Sequence, residues 1–310
     1  MNQRRPRYVG RFAPSPTGSL HLGSLVAALA SCLDARAHDG RWLLRIEDID
    51  PPREVAGSAA AIIESLRRHG FEHDGEIVWQ SRRDDAYRAA FDALVAAGHV
   101  YPCGCTRREI AASLAASGRL HARHRAPTYP GTCREGLAPG RTARSWRVRC
   151  KDTRIHWRDR PAGFAGGRWQ SCCLDECGGD FVLRRADGLW AYQLAVVVDD
   201  ANAGVTDVVR GEDLVDSTPR QIHLQRLLGL PTPRYLHVPV VRAPDGNKLS
   251  KQNGARALDD AAALSSLHAA ARHLGLPAIG ADDLPAFWRC ARTAWIESEW
   301  LRAESRDPGA

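Results

Sequence analysis

The sequence is nearly without lysine: Lys151, Lys248 and Lys251 are the three present among 43 lysines and arginines. An arginine-leaning codon usage accounts for the overall ratio. It does not account for Lys248 and Lys251 falling within one four-residue segment, which points to a compact ammonium being needed there. Long apolar runs are missing as well. A membrane span needs roughly 20 uncharged apolar residues, whereas the stretch Leu25 to Leu33 is short and closed by Asp34. The arginine-rich start leads into Arg11-Phe-Ala-Pro-Ser15 where a signal peptide would carry its apolar segment. From both absences we expect a cytoplasmic protein with no membrane partner. No internal repeat and no low-complexity linker is visible.

What is present describes an ordinary globular chain, 44% apolar and 25% charged, with 310 residues for one large domain and a second smaller one. A formal charge of +7 favours a polyanionic partner such as RNA, though it is modest for this length. Nine cysteines in a cytosolic chain argue for metal ligands or idle buried thiols over a disulfide framework. Cys103, Cys105 and Cys133 form one group and Cys172, Cys173 and Cys177 another. Cys32, Cys150 and Cys290 stand alone.

Tyr8–Phe12 reads as a strand, Leu22–His38 as a helix with apolar residues at helical spacing, and Arg41–Ile46 as a second strand. Strand, turn, helix and strand make a βαβ unit whose loop lies at the carboxyl end of a parallel sheet. Residues 58–70 and 84–98 are predicted helices, the latter ending at Gly98. From about 101 to 190 Gly, Arg, Trp and Cys dominate, Ser145–Cys150 is strand-like, and an inserted domain is expected. Ala191–Val198 is a buried strand or helix, with Asp199 and Asp200 expected to close a buried strand. Val205–Val209 is a strand, Thr218–Leu228 an amphipathic helix, and 257–303 helical and alanine-rich.

Two loops carry chemistry. Ser15-Pro-Thr-Gly-Ser-Leu-His21-Leu-Gly23-Ser24 opens the first helix, whose free N–H groups and positive dipole end suit a phosphate. His21 is placed there to donate to phosphate oxygens as charge develops. A plain turn with a surface histidine is the alternative. Asp245-Gly-Asn-Lys248-Leu-Ser250-Lys251-Gln252 puts two ammonium groups where they can neutralise a leaving pyrophosphate. Its alternative is a solvated turn.

Together these loops resemble the signatures of class I aminoacyl-tRNA synthetases: His21-Leu-Gly-Ser24 is similar to HIGH and Lys248-Leu-Ser-Lys251-Gln252 to KMSKS. Arg11-Phe-Ala-Pro-Ser-Pro-Thr-Gly, Arg45-Ile-Glu-Asp-Ile-Asp, Val209-Arg-Gly-Glu-Asp-Leu214 and Tyr235-Leu-His-Val-Pro239 narrow the resemblance to the glutamyl and glutaminyl branch. It covers residues 7 to 255. Ser24 for the second histidine and Gln252 for the final serine match the glutamyl-Q tRNA(Asp) synthetase subfamily. That subfamily lacks an anticodon-binding domain, and a chain of 310 residues agrees with this.

The resemblance implies a Rossmann-like α/β catalytic domain in two halves, 1–100 and 191–256. A zinc-bearing insert at 101–190 would separate them, and a short helical segment at 257–310 would follow. It implies activation of glutamate by ATP with Mg²⁺, through glutamyl-adenylate and without tRNA, and transfer to the queuosine base in the anticodon loop of tRNA(Asp). His21, Lys248 and Lys251 would be catalytic, and Gly23, Ser24 and Ser250 would join them in binding ATP. Arg11 and Arg210 suit bidentate pairing with glutamate's carboxylates and Glu47 its ammonium, while Tyr192 and Ser15 would line the pocket.

The cysteines of the insert supply three thiolates for a structural zinc, and residue chemistry leaves the fourth ligand open among Tyr129, His121, His124 and a thiolate of the second cluster. The subfamily pattern implies Cys103, Cys105, Tyr129 and Cys133, one zinc per chain. Cys172, Cys173 and Cys177 are expected to be free or partly buried thiols. Rival readings are a nucleotidyltransferase acting on a small molecule, a truncated glutamyl-tRNA synthetase charging a tRNA 3′ end, and a non-catalytic tRNA-binding paralogue.

Overall fold

The computed structural model describes residues 7–116, 128–242 and 256–305. The βαβ unit expected at the start is there: β1 (Val9–Phe12), α1 (Leu22–Ala37) and β2 (Arg41–Ile46). β1 pairs in parallel with β2, and β2 in parallel with β3 (Val78–Trp79). Further along, β9 (Asp207–Gly211) and β10 (Arg234–Val238) form a second parallel pair. Thr206 joins the two pieces: its N–H donates to the Val9 carbonyl and its Oγ1 accepts from the Val9 N–H, both at 2.9 Å. Across the molecule the strands therefore run β3-β2-β1-β9-β10. The order reverses direction between β1 and β9, and a crevice opens at the carboxyl ends of the strands there.

α1 is apolar around nearly its whole circumference because it is covered on both sides. The sheet lies on one side, and α7 (Ala263–His273) and α8 (Leu284–Glu297) lie on the other. Leu25, Leu29, Leu33, Trp42, Phe287 and Trp295 are fully buried in this one cluster, so the C-terminal helices share a core with the first βαβ unit. Truncating Phe287 to Ala would cost about 3–5 kcal/mol by the usual cavity penalty. α9 (Glu299–Ser305) follows α8. α2 (Ser58–Arg68) precedes β3, and its Ser58 hydroxyl bonds both the N–H and the carbonyl of Gly18. Gly18 has φ 127°, a value that only glycine takes without strain, and this turn leads the chain into α1.

On the other sheet face α3 (Asp84–Ala96), α5 (Tyr192–Asn202) and α6 (Thr218–Leu227) form a second apolar cluster around Tyr87, Leu194 and Leu224. Here one expectation is corrected: Asp199 and Asp200 lie on a helix, not at a strand end. Leu194 to Asp200 are all buried, so α5 has no polar face, and its sequence loses the period that tells a helix from a strand. β9 begins two residues later than expected, at Asp207.

Between α3 and α5 the chain builds a small antiparallel sheet of β4 (Val100–Cys103), β5 (Ser145–Val148) and β8 (Val182–Arg184), with α4 (Arg107–Ala116) after β4. β6 (Arg154–Trp157) and β7 (Gln170–Cys173) pair separately. The turn after β7 brings Cys177 back beside Cys172, with Cα atoms 6.5 Å apart, and the two are disulfide-bonded where free thiols were expected. Cys173 is free. Among the described residues no helix is long and apolar enough to cross a membrane.

Candidate active site

A cleft of about 640 Å³ occupies the crevice, lined by Arg11, Ser15, His21, Gly23, Ser24, Glu47, Tyr192 and Arg210. β1 and the loop after it supply Arg11 and Ser15, and the start of α1 supplies His21, Gly23 and Ser24. Glu47 follows β2, Tyr192 opens α5 and Arg210 sits near the end of β9. Lys248, Ser250 and Lys251 lie outside the described residues. The chain on either side of that segment borders the cleft: Val240 and Val241 line it, and Leu258 N–H donates to the Leu20 carbonyl while Ala257 bridges to His21.

His21 caps α1. Its Nδ1 accepts from the Ser24 N–H at 3.3 Å, so the imidazole carries its proton on Nε2. No acidic residue occupies the first turn of α1 to consume its positive end. The helix start and an N–H-bearing imidazole thus present donors to an anion in the cleft.

The two arginines differ in their support. The Nε of buried Arg11 donates to Asp200 at 3.2 Å. Arg45 donates to the same carboxylate at 2.7 Å and to Glu47 at 3.2 Å. Burial would raise the Asp200 carboxyl, but Arg11 and Arg45 hold it below its ordinary value. For Glu47 burial prevails over Arg45 and Arg11, and its carboxyl is raised. Buried Arg210 instead donates to Gln221 Oε1 (2.8 Å), Thr218 Oγ1 (2.8 Å) and His237 Nε2 (3.1 Å). Among the described residues no carboxylate lies within ion-pairing distance of Arg210. A buried guanidinium with neutral partners alone is costly until an anion joins it. Tyr192 beside it has a hydroxyl whose pKa is raised, first by burial.

Away from the cleft, the Sγ atoms of Cys103, Cys105 and Cys133 all lie within 4.8 Å of one another. Tyr129 Oη is 3.3 Å from Cys103 Sγ and 3.6 Å from Cys105 Sγ, and Cys105 and Cys133 are 3.6 Å apart. Four donors with edges near the roughly 3.8 Å of a tetrahedron around zinc fit a structural metal. The Cys133 N–H donates to Tyr129 Oη at 2.9 Å, and Arg147 lies 3.9 Å above its ring; burial first, and the bonds to the three cysteines next, raise the hydroxyl's pKa. This group can hold a metal ion. His121 and His124 lie outside the described residues.

The family model of the tRNA synthetases class I (E and Q), catalytic domain, matches residues 8–266. The chain belongs to this family. It is a ligase of the aminoacyl-tRNA synthetase type. A Glutamyl-Q tRNA(Asp) synthetase from Burkholderia cenocepacia is 58% identical over 304 residues, covering 96% of this chain and 99% of that one. One from Ralstonia nicotianae is 57% identical over 297 residues, 94% and 91% of the two chains. The solved glutamate-tRNA synthetase of Elizabethkingia anophelis superposes with a TM-score of 0.68 at 29% identity. That match covers 80% of this chain and 53% of the larger one, so the chain spans about half the length of that enzyme.

Within this class I synthetase, Asp199 and Asp200 lie beneath the cleft with partners that sequence reasoning did not supply. Asp199 accepts from Gln80 Nε2 (2.7 Å) and Tyr87 Oη (2.7 Å) and pairs with Arg83, while Asp200 joins Arg11 to Arg45. The Val-Val-Val-Asp-Asp segment signalled them, since paired acids inside an apolar run must be matched by buried donors. A second pocket of about 270 Å³ shares Ser15, Thr17, Glu47, Arg53 and Tyr192 with the cleft and is lined by Trp190 as well. Three of its acceptor atoms, Asp50 Oδ1, Glu54 Oε1 and Gln80 Oε1, are buried without a hydrogen-bond partner.

Proposed function

We propose that this synthetase activates glutamate with ATP, without tRNA, and transfers it to the queuosine base in the anticodon loop of tRNA(Asp). The observation that carries the amino-acid half is the buried guanidinium of Arg210, which no carboxylate among the described residues pairs, in one cleft with Arg11. Glutamate brings two carboxylates for these two arginines and an ammonium for Glu47. Tyr192 closes the pocket and Ser15 borders it.

ATP arrives with its magnesium on the His21 side. The α1 N-terminus and His21 hold its phosphates, with Gly23 and Ser24 letting the nucleotide approach. The glutamate α-carboxylate attacks the α-phosphorus, the bond to pyrophosphate breaks, and Lys248 and Lys251, with Ser250, neutralise the leaving group. No covalent enzyme intermediate is required. A hydroxyl of the acceptor then displaces AMP from glutamyl-adenylate, entering through the adjoining pocket, whose unpartnered acceptors suit a donor-rich group. The acceptor assignment is supported by the Glutamyl-Q tRNA(Asp) synthetases that match nearly the full chain, and the arginine-rich segment 101–190 would grip RNA by its backbone. We further assign one structural zinc per chain to Cys103, Cys105, Tyr129 and Cys133.

ATP–pyrophosphate exchange with each amino acid in turn, in the absence of tRNA, tests the first half-reaction. Exchange with glutamate alone is expected. No exchange with any amino acid would favour a non-catalytic paralogue, and exchange that needs tRNA would contradict the proposed order.

A further inference from the structure

His237 stands behind Arg210, and its two ring nitrogens have opposite duties. Nε2 faces the Arg210 Nε–H at 3.1 Å and must accept. Nδ1 lies 2.8 Å from Asp159 Oδ1, a carboxylate oxygen, and must donate. The proton therefore belongs on Nδ1. The Thr218 hydroxyl fits the same polarity: it accepts from Arg210 Nη2 and lies 3.3 Å from His237 Nε2, to which it can donate. Asp159, His237 and Arg210 are all buried to at least nine-tenths.

Asp159 is held in place from two sides. Its Oδ2 accepts the backbone N–H groups of Phe164 (2.6 Å) and His237 (2.8 Å), leaving Oδ1 for the imidazole. Gly163 makes room for this carboxylate, since a Cβ there would come 2.2 Å from Oδ2. Burial first, and Arg210 next to it, hold the imidazole below its ordinary value of 6.5 against the opposing bond to Asp159, so it stays neutral at neutral pH.

We propose that Asp159 and His237 are a positioning relay for Arg210: Asp159 fixes the Nδ1–H tautomer, and the bare Nε2 orients the guanidinium toward the cleft without cancelling its charge. A carboxylate in the place of His237 would orient Arg210 equally well but neutralise it before the substrate arrives. A neutral acceptor keeps the attraction for glutamate intact. The proposal rests on Arg210 being a ligand of a glutamate carboxylate, and it adds the two residues that make it one.

Asp159→Asn supplies the test. The two backbone donors require an oxygen at the Oδ2 position, so the new NH₂ faces His237 Nδ1. The imidazole proton then moves to Nε2, where it opposes the Arg210 N–H. The KM for glutamate should rise about tenfold or more, as for loss of a hydrogen bond to a charged group, with the KM for ATP unchanged. In a His237→Gln background a side-chain oxygen serves Arg210 and no tautomer exists to invert. There the same Asp159→Asn change should add little. An equal penalty in both backgrounds would mean that Asp159 acts by holding the backbone, and would overturn the relay. Long-range ¹H–¹⁵N spectra of the wild-type protein need no variant to fold: protonated Nδ1 and bare Nε2 of His237 are expected, and a proton on Nε2 overturns the relay. Arg210→Ala distinguishes the two levels of the argument. An unchanged glutamate KM there would defeat the reading of the pocket. A raised one, with no effect of Asp159→Asn, would defeat the relay alone.

Discussion

The two walls of the cleft hold their arginines in different ways. On the β1–β2 side, Arg11 and Arg45 meet Asp200, Arg45 meets Glu47, and Arg83 meets Asp199, so buried charges are matched pair by pair. On the β9–β10 side Arg210 has, among the described residues, a hydroxyl, an amide and an imidazole as its partners. The first arrangement is a scaffold: three cations and three anions cancel, and their geometry positions Arg11 and Glu47. The second keeps a positive charge in reserve. A site that recognises an anion gains from both: the first wall fixes the direction of Arg11 and Glu47, and the second adds a guanidinium that no carboxylate among the described residues has neutralised.

Breaking the second wall should have the largest effect on activity. Arg210→Ala should lower kcat/KM for glutamate in pyrophosphate exchange by about 10²-fold or more, the usual scale for losing a charge-assisted contact to substrate. Folding should be affected less, since its partners are neutral and no buried charge is left unpaired. Breaking the first wall should instead damage stability. Asp200→Ala leaves Arg11 and Arg45 without their shared anion and should cost about 3–5 kcal/mol in denaturant unfolding. Thr218→Val, its counterpart on the neutral side, should cost about 1 kcal/mol. Equal losses for the two would erase the distinction between the walls.

The cysteine group sharpens the comparison by lying in neither wall. Cys103→Ser should release the zinc, about one per chain by metal analysis, and loosen the β4–β5–β8 sheet. Exchange activity with glutamate should outlast that loss better than transfer to RNA does. Zinc-free wild-type protein with normal folding and transfer would contradict the assignment.

The smallest effect concerns acid stability. Asp200 is held below its ordinary value of 3.8, so its share of stability is complete above that pH and is lost as pH falls toward the lowered value. Glu47, raised above 4.5, acts in the opposite sense: folding is favoured at pH below that value and loses this share as pH rises through the raised one. Asp200→Asn should therefore flatten the acid limb of the unfolding free energy below about pH 4, as read by denaturant midpoints.

What the sequence disclosed follows chain proximity. His21, Gly23 and Ser24 sit in one short segment at a helix start, where residue type and spacing suggest a phosphate-handling loop. Arg11, Ser15, Glu47, Tyr192 and Arg210 could be singled out only in motif context. Asp159 gave no signal. It meets His237 across 78 positions, and a lone aspartate in an arginine-rich stretch looks like a solvated one. Burial of α5 on every side erases the period that separates a helix from a strand. Cys172 and Cys177 looked idle because a turn, not a spacing pattern, brings them together.

Transfer of labelled glutamate decides which acceptor the enzyme uses. Queuosine-containing tRNA(Asp) should be labelled, and should stay so when the 3′ ribose is oxidised with the queuosine diol protected. Queuosine-free tRNA(Asp) and tRNA(Glu) should not be labelled. Charging of tRNA(Glu), or labelling of tRNA(Asp) that ignores queuosine, would contradict the proposed acceptor.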